Sequence, residues 1–463
     1  MTLPRPSALL PLLLSSSLLL AGCGGGGTPP TRPPVTPPTD GGPVVTPGTF
    51  NVDAAVPPRA LVSGQTALLE VTVTPQQGFT GPVTAELVNA PAGVSASPVT
   101  ATVSGPTTLR LTVQTTANAA GLLRLSVRVS GSGVSQTDDA FAFVYRAVNL
   151  PQLCADQFCS ALVQTSTFAG HTYWVAYGRS GAGAVTVEGT DGRTGERRSV
   201  TVALEYNERL TRLVSAQGQL WGATSSSGAP YRRPALVRLS PDTGISEAFP
   251  VGSEGQEITD LKALPDGRLV MRLRGTDNRT TQLVVFGPSP KAVIVKDLPP
   301  ALLYSDLAVA PDGRVWVVPG ESSTALRFDP ATGELTGFGV GASNGVARLA
   351  VTDDGHVWML FPQMGELRIL NPVTATLTAY DGPAAFGFLQ AIGDVVAYIP
   401  TDSVPPARLL SRSDRGIRAS VLPLPDALTA VAVSPEGGIG GLNITGVGQS
   451  TPPTATAYIL PPN

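Results

Sequence analysis

The chain reads as all-β: a β-sandwich module followed by a ring of four-stranded units, a β-propeller. Three observations predict this. Glycine and proline are abundant, 51 and 44 of 463 residues, and only 14% of residues are charged, so the chain is punctuated too often for long helices. Between residues 49 and 146 apolar and polar residues alternate with period two, as in strands with one buried face. From residue 150 onward, two apolar runs around an Asp-Gly-type turn recur about every 44 residues.

Residues 1–22 carry one charge, Arg5, and an apolar run from Leu9 to Leu20 interrupted by Pro11 and three serines. Such a run is too short to span a bilayer as a helix and has the layout of an export signal. It ends in Leu20-Ala21-Gly22-Cys23, which resembles the bacterial lipobox. That resemblance implies cleavage before Cys23 and acylation of its thiol, a palmitate-type anchor. The alternative is an ordinary cleaved signal with a chance cysteine. Gly24 follows the cysteine, not Asp, which by the same resemblance implies sorting to the outer membrane. The expected location is therefore extracytoplasmic, lipid-anchored in the cell envelope. No later segment has about 18 unbroken apolar residues, so the lipid is the expected membrane attachment.

Residues 23–48 follow as a tether of Gly, Thr and Pro that can build no core. Alternating strands then come at Leu69–Thr74, Leu109–Val113 and Leu123–Val129. Gly78–Val83, Ala90–Val94 and these strands together resemble the immunoglobulin-like modules of bacterial surface proteins. The resemblance covers 49–146 and implies a spacer or adhesive unit. Cys154 and Cys159 are expected to form a disulfide in an oxidising compartment, with two free thiols as the alternative.

The repeat occupies residues 147–463. Its clearest copies are Leu261–Met271, Leu307–Val317 and Leu349–Met359, each with Asp-Gly at the turn. A second turn recurs at Ser240–Gly244, Asp329–Gly333 and Asn371–Ala375. Trp174, Trp221, Val270, Trp316, Trp358, Val396 and Gly440 occupy one position after the first turn, spaced 47, 49, 46, 42, 38 and 44 apart. Seven four-stranded units fit this length, and stacking them radially buries both faces of each. The sixth copy is the weakest, which leaves six or eight units open. The last copy ends on Ala455–Leu460 as a third strand, so the segment after Asn149 is expected to lend it a fourth.

The Pro-Asp-Gly-Arg-Val-Trp-Val run ending at Val317, followed by Leu326–Phe338, resembles the streptogramin lyase-like and gluconolactonase-like propeller superfamily. It covers about two thirds of the chain. The resemblance implies the fold and admits lyases, lactonases and binding proteins. Lyase chemistry would imply a His and acids on the upper face. Both histidines, His171 and His356, fall instead at the first turn of a copy, on the lower face, and are expected to be solvent-exposed there. The Glu that follows the Trp in such repeats is displaced to Glu321.

The residues opening the innermost strands are Arg212, Asp260, Asp306, Arg348 and Ala430. Two carboxylates and two guanidiniums should converge near the channel mouth. They can pair structurally, bind a ligand, or let Asp260 and Asp306 hold a hard cation such as Ca²⁺. No other cofactor is implied. The upper loop Gly222–Pro234 adds Tyr231, Arg232 and Arg233, an aromatic beside two cations, suited to an anionic or carbohydrate surface. A net charge of −3 with both signs nearly balanced argues against a nucleic-acid partner. The expected function is a monomeric binding or scaffold lipoprotein that presents its upper face to a protein or glycan. The alternative is a metal-assisted hydrolase or lyase of that superfamily.

Overall fold

The computed structural model describes residues 48–461 apart from 57–59, 151–164, 178–182, 206–207, 227–231, 278–279, 288–291, 302–303, 342–346, 384–386, 401–406, 414–415, 426–427, 429, 435–436 and 446–453. Cys23, Cys154, Cys159 and Tyr231 lie outside the described residues. Among the described residues there are strands and no helix.

The first strands are β1 (Thr49–Ala55), β2 (Leu61–Val62), β3 (Thr66–Gln76), β4 (Gly81–Val88), β5 (Val94–Ala96), β6 (Val99–Val103), β7 (Thr107–Thr115), β8 (Gly121–Gly131) and β9 (Val134–Asn149). They form two sheets, β1-β3-β7-β5 and β9-β8-β4-β6, around one core. The alternation read from the sequence is what sorts the faces. In β7, Leu109, Leu111 and Val113 are buried while Thr108, Arg110 and Thr112 face outward.

The remaining strands fall into four-stranded antiparallel sheets whose strands follow chain order. They are β10–β13 (Thr165–Ala169, Thr172–Tyr177, Ala184–Asp191, Arg197–Ala203) and β14–β17 (Glu208–Ala216, Gln219–Ser226, Ala235–Ser240, Ile245–Pro250). Next come β18–β21 (Glu257–Ala263, Leu269–Arg274, Thr281–Phe286, Ala292–Asp297) and β22–β25 (Ala308–Val309, Val315–Val317, Thr324–Phe328, Leu335–Gly339). Then follow β26–β29 (Arg348–Val351, Val357–Phe361, Glu366–Asn371, Thr376–Asp381) and β30–β33 (Gly387–Ile392, Val395–Pro400, Arg408–Ser413, Gly416–Val421). The last strands, β34–β36 (Ala430–Val433, Ile439–Thr445, Thr454–Leu460), pair onward to β9.

Two turns recur in the units, and in several copies a side chain caps them. Asp266, Asp312 and Asp354 each accept, through Oδ1, the backbone N–H two residues ahead, at 3.0, 3.0 and 3.2 Å. The glycine between holds φ near +84°, +85° and +81° at Gly267, Gly313 and Gly355, a conformation costly for any other residue. The outer turn uses the same device. Asp191 accepts from Arg193 at 2.8 Å, Asp329 from Ala331 at 2.8 Å and Asn371 from Val373 at 2.9 Å.

The sheets close into a ring. β10 touches β14, and contact passes in turn to β18, β22, β26, β30 and β34, which returns to β10. The apolar cores follow the same cycle, because each lies between two neighbouring sheets. Trp174 packs with Leu213, Trp221 with Leu261, Val270 with Leu307 and Trp316 with Leu349. Trp358 packs with Leu389, Ala397 with Val431, and Ala432 with Tyr173. A Cβ on Gly440 would fall 2.2 Å from the Tyr173 ring, so glycine replaces tryptophan where the last sheet meets the first. This cyclic stack is a β-propeller.

The closing strand differs from expectation. The pairing runs Thr456↔Asn149, Ala457↔Val148, Tyr458↔Ala147 and Ile459↔Arg146. The fourth strand is therefore the end of β9, Arg146–Asn149, and of the segment expected after Asn149, Leu150 continues the pairing by donating to Ala455 O at 3.0 Å. The same β9 pairs with β8 from Val134 to Val144. One strand thus crosses the 146/147 division drawn from the sequence. Arg146, only 8% exposed, fixes the crossing by donating to Gly192 O, Arg193 O and Ala117 O at 3.1, 2.8 and 3.4 Å.

Candidate functional site

The Trp position sets a common register for the innermost strands. Its cross-strand partners are Thr167, Val214, Lys262, Ala308, Ala350, Ala391 and Ala432. Two residues earlier stand Thr165, Arg212, Asp260, Asp306, Arg348, Leu389 and Ala430. The sequence-derived set therefore occupies one belt around the ring.

The belt links one sheet to the next. Thr165 Oγ1 accepts from Leu213 N at 3.0 Å. Arg212 donates to Thr259 O at 2.8 Å, and its Nε lies 3.8 Å from Asp260 Oδ1. Asp260, 2% exposed, accepts from Leu261 N through Oδ1 and from Leu307 N through Oδ2, at 2.8 and 2.5 Å. Arg348 donates to Asp306 Oδ2 at 2.8 Å. A buried carboxylate with two backbone donors is satisfied, and its lone pairs point into the protein frame. Of the three uses the sequence left open, geometry brings the four charged residues together as inter-sheet links.

Arg272 completes the cluster. It is 8% exposed, donates to Thr259 Oγ1 at 2.8 Å, and also donates to Ser305 O. Ser305 is locked in turn by Val318 N at 2.8 Å. Burial pulls the Arg272 guanidinium below its ordinary pKa, offset only in part by Asp260 and Asp306. Burial pushes the Asp306 carboxyl up, but Arg348, Lys262 and Arg212 together outweigh it and hold the pKa below the ordinary value. Sequence reasoning missed Arg272 and Lys262, although a signal existed. Two residues past the Trp position the other copies carry Ala176, Ala223, Val318, Leu360, Tyr398 and Leu442. At the Lys262 position the others carry only Thr, Val or Ala. Each is the one charge in an otherwise uncharged column.

Other expectations shift. The loop read as 222–234 is shorter, because β15 continues to Ser226. Arg232 pairs with Glu205 at 2.5 Å, and Arg233 is exposed. His171 and His356 do sit at first turns, yet neither is fully exposed. The His356 side chain is 13% exposed, with Nδ1 2.8 Å from Asp354 Oδ2. Arg412 of the next sheet holds the same oxygen at 3.2 Å. The turn histidine is thus part of an inter-sheet contact, which explains its burial. Glu321 is exposed in the β23–β24 turn, away from the belt. Among the described residues no group of three or more His, Cys, Asp or Glu gathers to hold a metal ion. A concavity of about 840 Å³ lies elsewhere, on the outer face of the β4–β8–β9 sheet. Its charges are cross-linked as Arg128–Glu86 and Arg124–Asp139.

No protein-family model matches the chain, and no curated protein does. Solved structures similar in fold include selenomethionine-substituted virginiamycin B lyase from Staphylococcus aureus, 12% identical, with a TM-score of 0.48 over 68% of this chain and 99% of that one. YCF48 bound to D1 peptide is 14% identical, with a TM-score of 0.46 over 69% and 96%. The WD40 repeats of RRP9 are 10% identical, with a TM-score of 0.46 over 68% and 97%. The propeller assignment rests on the closed cycle of strands rather than on these likenesses.

Proposed function

We propose that this chain is a binding lipoprotein of the bacterial cell envelope. It is held by lipid on Cys23, spaced by the 24–48 tether, and acts as a monomer. Residues 49–146 serve as an immunoglobulin-like module and 147–463 as a seven-bladed propeller, with β9 shared between them. The propeller offers its upper face, including Arg232 and Arg233, to a protein or glycan partner.

One observation carries this reading. The belt carboxylates are committed to the frame, Asp260 to two backbone N–H groups and Asp306 to Arg348. A general base or metal ligand needs a free lone pair aimed at the substrate, and the ties of Asp260 and of Asp306 Oδ2 to the frame count against the hydrolase or lyase alternative. A belt whose carboxylates link neighbouring sheets suits binding.

The test uses the mature chain with Cys23→Ser, incubated with envelope extract and recovered by a C-terminal tag. The reading expects a partner retained by this protein and lost with Arg232→Glu plus Arg233→Glu. It also expects wild-type protein to incorporate labelled palmitate and the Cys23→Ser protein to incorporate none. Lactone or sugar turnover that disappears in Asp306→Ala would overturn it.

A further inference from the structure

Around the inner strands β18 and β22, cations contributed by four strands outnumber the carboxylates beside them. Arg212, Lys262, Arg272 and Arg348 stand against Asp260 and Asp306. Glu257 is already shared by Arg274 at 2.8 Å and Arg209 at 3.1 Å. The local excess is of the opposite sign to the chain's net charge of −3.

Arg272 makes the excess costly. Its guanidinium is buried, and its acceptors, Thr259 Oγ1 and Ser305 O, are neutral. Asp260 and Asp306 offset its burial only in part, and a buried cation so incompletely balanced is destabilising unless further negative charge is supplied. Asp260 cannot move to it without releasing Leu307 N, nor Asp306 without releasing Arg348. Lys262 adds the second unbalanced cation. It lies two residues from Asp260 and so on the same face of β18, the face that reaches β22. Among the described residues its ammonium has no ion pair. The cluster also opens to solvent, since the side chains of Arg212, Asp306 and Arg348 are 42, 41 and 35% exposed.

We propose that an oxyanion of a small molecule, a phosphate or carboxylate group, seats between β18 and β22, held by Lys262 with Arg212 and Arg348 flanking and Arg272 behind. Lys262 supplies a mobile point charge, and the guanidiniums supply directed donors. This extends the binding reading above by naming a ligand chemistry at the belt.

The test is calorimetric titration of the mature protein with inorganic phosphate and, separately, citrate. Both are run at constant ionic strength, with chloride as the control, because screening alone weakens any cationic site. Saturable binding is expected. Lys262→Gln should weaken it about tenfold, and Asp306→Asn, which removes the opposing carboxylate, should tighten it several-fold. Tighter binding of phosphate than citrate, or the reverse, identifies which group the site takes. Absence of saturable heat with both anions overturns the proposal, as does an unchanged or weakened affinity in Asp306→Asn. Partner capture on Arg232 and Arg233 is measured independently, so either idea can fail while the other stands.

Discussion

Every joint of the ring is packed with apolar side chains, and the two arcs differ in what one register position adds to that packing. From the first propeller sheet to the fifth, that position carries Thr165, Arg212, Asp260, Asp306 and Arg348, linked sheet to sheet by hydrogen bonds and charge. From the fifth sheet back to the first it carries Leu389 and Ala430, and those joints are made by packing around Trp358, Ile399 and Tyr173. Position in the repeat therefore does not dictate chemistry. Apolar packing is common to the joints, and satisfied polar groups can be added to it or left out. At this register position, among the described residues, the charges all fall in the polar arc.

Three measurements would break or sharpen this contrast. The largest effect is expected in the packed arc. Trp358→Ala removes a side chain with no exposed surface and should cost about 3–5 kcal/mol, read from denaturant midpoints. A loss below that of a belt variant would show that packing does not carry the joint. Asp260→Ala leaves Leu261 N and Leu307 N without acceptors and should cost about 2–3 kcal/mol. An unchanged midpoint would reduce the polar link to decoration. The smallest effect concerns acid. The Asp306 carboxyl titrates at 3.8 in the unfolded chain and lower in the folded one. The Asp306–Arg348 link is therefore at full strength above pH 3.8 and fades as pH falls through the folded value. The melting-temperature difference between wild type and Asp306→Asn should be flat from pH 7 to about 4.5 and shrink below 3.8. A difference that shrinks already near pH 6 would show that another group controls the link.

Local chemistry explains what the sequence made legible. An Asp whose side chain caps its own turn, followed by a glycine at positive φ, needs no distant partner. The Asp266, Asp312 and Asp354 turns therefore announced the repeat and its register. The alternation in β3, β7 and β8 was readable for the same reason. Long-range choices were hidden. Nothing near Arg146 says that β9 continues into the ring, because its partner β36 lies at the other end of the chain. The burial of His356 depends on Arg412 and Asp354 meeting across a sheet boundary. The belt residues were found as a set, but their roles depend on which backbone N–H faces each carboxylate. Arg272 is not legible in what recurs through the repeat, because it is an exception within its column.

The shared strand β9 also sets an order of events during synthesis. Asn149 leaves the ribosome long before Thr456, its hydrogen-bonded partner 307 residues later. Until β36 is available, Arg146–Asn149 lacks its partner strand and is an open sheet edge. The ring can close only after Leu460 emerges, so its last joint is also its most sequence-distant one. Through that interval the chain carries its own template for closure and, on the same edge, an exposure to pairing with the wrong strand.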